Sequence, residues 1–166
     1  MGDTLSYPQH PLQQDAQKQH GGEPPLWAPY YGAPFPAAVK RFFQKYATFS
    51  GRASRSEYWW WTLVSVGVSF ILNIITGMGA AASTSASGVS QTSAPALTFG
   101  TIVLLIWALA TIVPSLALVV RRLHDVNMSG WLALIVLVPF LGALALLVFM
   151  ILPSNPAGQR FDRATA

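Results

Sequence analysis

The 166-residue sequence contains no cysteine. That excludes disulfides, thiolate nucleophiles and zinc–thiolate sites, and it leaves the redox compartment open. Charge is the second scarcity. Only 10% of the residues are Asp, Glu, Lys or Arg, against about a quarter in ordinary globular chains. None of these falls between Tyr58 and Val120, and none between Trp131 and Pro153. Stretches of that length cannot be kept in water by their own surface charge. The first 35 residues also lack an apolar core of signal-peptide type, so no cleaved signal is expected.

What is present is apolar: 52% of the chain. The net charge is +4 and the pI about 9.8, values that alone would admit a nucleic-acid partner. Position argues against one. Lys40, Arg41, Lys45, Arg52, Arg55, Arg121 and Arg122 all lie just outside apolar runs, where membrane topology places cations.

Residues 1–35 are rich in Gln, Pro and Gly and read as a disordered leader, because they hold too little apolar surface to offset their ordering entropy. Residues 36–48 read as an amphipathic helix in the membrane interface. Pro36 suits its first turn. Val39, Phe42, Phe43 and Tyr46 recur at helical spacing, opposite Lys40, Arg41, Gln44 and Lys45. Ser54-Arg55-Ser56-Glu57 forms a capping box ahead of the first long apolar run.

The transmembrane domain is expected over 49–153, with three spans at about 58–78, 98–120 and 131–152. A helix over 58–78 is about 32 Å long, enough for a hydrocarbon core of about 30 Å. Trp59, Trp60, Trp61 and Trp131 belong at headgroup depth. Asn73 is expected to bond a neighbouring helix. Residues 79–97 read as a flexible connector, and Pro114 lies inside the second span, where a neighbouring group must satisfy the freed carbonyl. Pro139 to Gly142 make the third run either a kinked span or a re-entrant hairpin; three spans are expected. Residues 154–166 are a polar tail. The fold class is therefore all-α, multi-pass and transmembrane, with an interfacial helix in front.

Five cations from Lys40 to Arg55, with no acid among them, place the N-terminus in the cytoplasm. The second span returns Arg121 and Arg122 to that side. The stretch "VVRRLHDVNMSGWLAL" is then a charged elbow. Arg121 and Arg122 oppose the helix dipole, Asp125 is spaced to pair with Arg121, and Ser129 is placed to cap the third span. A catalytic use of His124 with Asp125 is disfavoured, because adjacent helical residues point about 100° apart. His10 and His20 lie in the leader, so no metal or other cofactor is expected.

"FSGRASRSEYWWW", "RRLHDVNMSGW" and "VPFLG", in that order before a P-x-x-P tail, resemble the bacterial inner-membrane family called domain of unknown function 805. The resemblance runs from Val39 to about Asp162. Gly51, Arg52, Arg55, Glu57, Tyr58 and Trp59 match its first motif. Arg121, Arg122, Leu123, His124, Asp125, Ser129, Gly130 and Trp131 match its second. The tail "GQRFD" lacks the family's usual Asn and final Gly. The resemblance implies a multi-pass inner-membrane protein and no particular reaction.

The reading that follows is a non-enzymatic membrane scaffold. Its cytoplasmic rim, Arg52, Arg55, Arg121, Arg122 and His124, with Glu57 and Asp125 as internal counter-charges and Trp59 and Trp131 as anchors, is expected to meet anionic lipid headgroups, other membrane proteins or a second copy. The alternatives are a transporter or channel subunit, and, behind it, a membrane-edge enzyme using His124 and Asp125.

Overall fold

The computed structural model describes residues 23–87 and 95–162, and these are helical wherever they are regular. Among the described residues four α-helices run in order: α1 (Phe35–Gln44), α2 (Arg55–Ser87), α3 (Pro95–Asp125) and α4 (Leu141–Ile151). A 3-10 helix, Gly130–Leu137, lies between α3 and α4, and a second, Pro156–Phe161, follows α4.

Among the described residues, two helices are long and apolar enough to cross a membrane: Arg55–Met78 and Phe99–Asp125. In their most apolar windows only 6% and 22% of residues are buried. The core helix of a soluble protein would be mostly covered. Here Leu63, Val66, Phe70, Ile74, Leu105 and Leu109 stand open on the outside, an apolar surface far larger than water tolerates. The two helices pack antiparallel. At one end a Cβ on Gly100 would meet the Thr76 hydroxyl at 2.5 Å. Towards the other end the Trp61 indole donates to the Ser115 hydroxyl at 3.3 Å. Asn73 does not reach across; its amide donates to its own helix at the Ser69 carbonyl, 2.8 Å.

The connector expected at 79–97 is mostly helix, since α2 continues to Ser87 and α3 begins at Pro95. Alanine-rich sequence propagates a helix readily, and Pro95 restarts one at a position where its missing N–H is no loss. Residues 88–94 of that connector lie outside the described residues.

Pro114 sits inside α3. Proline has no N–H for the carbonyl four residues back, which is Ala110. The Tyr46 hydroxyl supplies the missing donor at 2.7 Å. This bond pins the end of α1 to the middle of α3.

α1 docks on a different face from the one its periodicity suggests. Ala38, Arg41 and Phe42 are buried, and so is Lys45, whereas Phe43 stays half exposed. Phe42 stacks on Trp61 with ring centroids 3.3 Å apart. That contact takes Trp61 out of the expected interfacial row. Part of the expected disordered leader is ordered. Residues 23–34 pack beside α1, with Ala33 buried and its N–H donating to the Ser56 hydroxyl at 2.9 Å; residues 1–22 lie outside the described residues.

The third apolar run is a hairpin rather than a third full span. The Gly130–Leu137 arm of eight residues rises about 16 Å as a 3-10 helix. The Leu141–Ile151 arm of eleven residues also rises about 16 Å. Each is about half of a hydrocarbon core. The arms touch where Gly142 lies on the Ile135 carbonyl, a place with no room for a Cβ. Ser129 makes no side-chain cap to the first arm. After the hairpin the chain returns to the charged end, where the Asn155 N–H donates to the Asp125 carbonyl at 2.8 Å and the Gly51 N–H to the Phe161 carbonyl at 2.9 Å.

The described parts of both tails, residues 23–34 and 153–162, therefore lie at one end. Because the chain has no native cysteine, single cysteines can report this directly. Ser90→Cys and Thr165→Cys should react with a membrane-impermeant thiol reagent from opposite sides of sealed, oriented vesicles. Labelling of both from the same side would refute the hairpin.

Candidate functional site

The charged end is assembled from five separated segments. It begins with the capping box. The Ser54 hydroxyl accepts the Glu57 N–H at 3.2 Å, and the Glu57 carboxylate accepts the Ser54 N–H at 2.9 Å. This satisfies two donors that the start of α2 would otherwise leave open. Glu57 also accepts the Tyr30 N–H at 3.2 Å and Arg41 Nε at 2.8 Å. Arg41 is fully used: its remaining nitrogens donate to the carbonyls of Pro24, Pro25 and Ala28 at 2.7, 3.2 and 2.5 Å. One guanidinium thus folds the leader onto α1 and α1 onto α2.

Arg121 and Arg122 end α3 side by side, and the helical turn sends them to different neighbours. Arg122 reaches the end of the hairpin, donating to the Met150 carbonyl at 3.2 and 3.3 Å and to the Leu152 carbonyl. These are orphan acceptors at the C-terminus of α4, where a cation also opposes the dipole. Its other nitrogen bonds Asp125. The expected Arg121–Asp125 pair is therefore replaced by Arg122–Asp125.

Asp125 is the hub. Its carboxylate accepts from Arg122 and from the hydroxyls of Ser154 and Tyr31, at 2.5, 2.5 and 2.8 Å, with Arg52 3.7 Å away. Burial first, and the Asp125 carboxylate with it, hold the Tyr31 hydroxyl above the ordinary phenol range, so it remains a donor. Arg52 grips Asp162 with two nitrogens, the shortest contact 2.6 Å. Gly158 makes the tail's approach feasible, because a Cβ there would overlap the His124 carbonyl. His124 stacks on Phe161 at 4.1 Å and bonds the Gly51 carbonyl through Nδ1 at 3.1 Å. It makes no hydrogen bond to Asp125, its neighbour in sequence.

The nine residues expected on the rim thus divide. Arg52, Glu57, Arg121, Arg122 and Asp125 are buried, and His124 is partly covered. Arg55 is exposed, as are Trp59 and Trp131, the last at 80%. Sequence reasoning missed Tyr31, Arg41, Ser154, Phe161 and Asp162. Asp162 carried one signal, as the sole acid in an otherwise basic tail.

The two halves of the network differ in balance. Arg52 and Arg122 face Asp125 and Asp162. Arg41, Lys45 and Arg121 gather around Glu57, with the partly exposed Glu23 beside Arg41 at 3.5 Å and Asp162 also acting on Lys45. Arg121 Nε donates to the Ala117 carbonyl at 3.2 Å, and its Nη2 is buried without a partner. Burial, reinforced by Arg41 and Arg121 against the pull of Glu57, brings the Lys45 ammonium down to about 7.

The chain is similar to inner membrane proteins of Escherichia coli. The inner membrane protein YhaI of Escherichia coli, strains K12 and O157:H7, is 37% identical over 118 residues, which cover 71% of this chain and 86% of that protein. The inner membrane protein YhaH of the same organism is 33% identical over 121 residues, 73% of this chain and 89% of that protein. No solved structure matches. Lipid-facing helices closed at one end by a buried charge network, together with these relatives, define a helical inner-membrane protein. The chain belongs to the family described as protein of unknown function (DUF805), whose model matches residues 46–163.

Two outcomes test the network. Asp125→Asn leaves Arg122 and Arg52 buried with one carboxylate fewer, a change that costs about 3–5 kcal/mol when a buried pair is broken; the melting temperature in detergent should fall sharply. Lys45→Met should stabilise the protein most at and below about pH 7. Between there and the ordinary lysine value of 10.5 the unfolded chain holds the extra proton, so wild-type stability rises with pH and the gain from Lys45→Met shrinks. A gain that grows with pH would contradict this.

Proposed function

We propose that the chain is a non-enzymatic, multi-pass inner-membrane scaffold with its charged end in the cytoplasm, and that this end engages anionic lipid headgroups. Two full crossings by α2 and α3 and a re-entrant hairpin make up its membrane part. The orientation is supported by the positive-inside rule: the basic residues from Lys40 to Arg55 and the Arg121-Arg122 pair gather at one end, while residues 79–97 carry no charge.

One observation carries the non-catalytic reading. The motif groups that a reaction would need already have protein partners. Asp125 is engaged by Arg122, Ser154 and Tyr31. His124 is held by Gly51 and Phe161, and among the described residues no nucleophile is hydrogen-bonded to it. A general base needs hydrogen-bond reach to the proton it removes. Among the described residues three cations are exposed: Arg55, Lys40, which pairs with Glu23 at 3.1 Å, and Arg160, which lies over the Phe161 ring; the indoles of Trp59, Trp60 and Trp131 are exposed as well. Cations at an anionic surface contribute about 1 kcal/mol each, and indoles favour headgroup depth.

The triple variant Lys40→Gln, Arg55→Gln, Arg160→Gln changes only exposed side chains and should keep the wild-type melting temperature. It should lose enrichment of phosphatidylglycerol over phosphatidylcholine when purified from mixed micelles. Undiminished enrichment would rule out the lipid reading.

A further inference from the structure

An apolar groove of about 440 Å³ runs along the first turns of α2, lined by Ser56, Trp59, Trp60, Thr62, Leu63 and Val66. Its volume is that of a small-ligand site. Phe35 packs edge-on against Trp60, ring centroids 5.4 Å apart, and the Trp60 indole donates to the Ala33 carbonyl at 3.2 Å. One wall is thereby braced by the docked leader and α1. From Ser56 to Val66 the helix rises about 15 Å, the hydrocarbon depth of a single leaflet.

The hydroxyls in the groove are already engaged. Ser56 accepts from the Ala33 N–H at 2.9 Å and donates to the Tyr30 carbonyl at 3.2 Å, and Thr62 donates to the Tyr58 carbonyl at 2.9 Å. Arg55 directly precedes Ser56 in α2, one turn before Trp59 of the groove. Arg55 and Trp59 are both exposed, and neither the guanidinium nor the indole N–H has an acceptor among the described residues. The nearest acid in sequence, Glu57, is buried against Arg41 and does not neutralise Arg55. A long, greasy slot that starts at headgroup depth beside an unneutralised cation calls for a ligand with an acyl chain and an anionic head.

Resting on the scaffold reading above, we infer that this groove is a specific site for one anionic phospholipid. An acyl chain lies along Leu63 and Val66, and the phosphodiester meets Arg55 and the Trp59 indole. The other motif arginines, Arg52, Arg121 and Arg122, are buried in the internal network, so Arg55 alone among them is open to a headgroup.

The test is native mass spectrometry of the full chain in mild detergent, titrated with phosphatidylglycerol or phosphatidylcholine of identical acyl chains. The first phosphatidylglycerol should bind about fivefold more tightly, the effect of one headgroup cation. Arg55→Gln should bring the ratio to about one, and Arg55→Lys should keep it. Leu63→Trp, which fills the slot, should weaken both lipids about fivefold or more. All three variants change exposed side chains, so their melting temperatures should match wild type. A preference that survives Arg55→Gln, or affinities untouched by Leu63→Trp, would overturn the site. If the triple Gln variant loses the preference while Arg55→Gln keeps it, this site fails and the scaffold reading stands. If wild type shows no preference, both fall.

Discussion

Two guanidinium groups and two carboxylates, withdrawn from water at one end of a lipid-facing helix pair, set the condition under which the rest of the molecule holds its shape. Asp125 ties the leader through Tyr31, the hairpin exit through Ser154, and its own helix through Arg122. Arg52 closes the ring by holding Asp162 of the tail. A buried ion is tolerated only when its partners are all in place. The segments must therefore arrive together, and the network acts as a lock on chain path more than as a source of net stability.

That lock explains why so short a chain, with so little of its surface covered, has a definite tertiary structure. Lipid supplies no hydrophobic drive for helices to associate. Within the membrane-facing part, contacts such as Thr76 against Gly100 and Trp61 against Ser115 align α2 and α3 without enclosing a large core. Polar bonds at the end do the rest. Tyr46 shows how closely the parts are fitted: its hydroxyl takes the carbonyl that Pro114 orphans, so a helix defect becomes a docking point for α1.

The network's imbalance is a separate property. Around Glu57 three buried cations gather; burial first, with Arg41 and Arg121 adding to it, makes Lys45 an ammonium that gives up its proton easily, and an Arg121 nitrogen has no partner. Around Asp125 the charges are matched. The unmatched half lies against α1 and the leader, which are attached to α2 and α3 through side-chain bonds and one stacked pair of rings.

From the chain alone one could read the elements whose cause is local. The capping box at Ser54 and Glu57, the apolar helices over 58–78 and 98–120, Pro36 in a first turn and the choice at Pro139 to Gly142 between a kink and a turn all follow from spacing, propensity and absent charge. Tertiary structure decided what depends on distant partners. Periodicity marked Arg41 and Lys45 as a solvent face, because it cannot see Glu57 folded beneath them. Residues 23–34 lack an apolar core of their own, yet become ordered because Arg41 collects their carbonyls. Spacing paired Asp125 with Arg121, but the hairpin's open carbonyls draw Arg122 inward and bring it within reach of Asp125. Two half-length arms replaced a third span because Gly142 lets the chain fold onto Ile135, and the charged end then binds the returning tail. Local sequence carries helix and hydrophobicity, since both are sums over neighbours; the pairing of buried charges is a property of the folded chain, because each partner is chosen by who else is present.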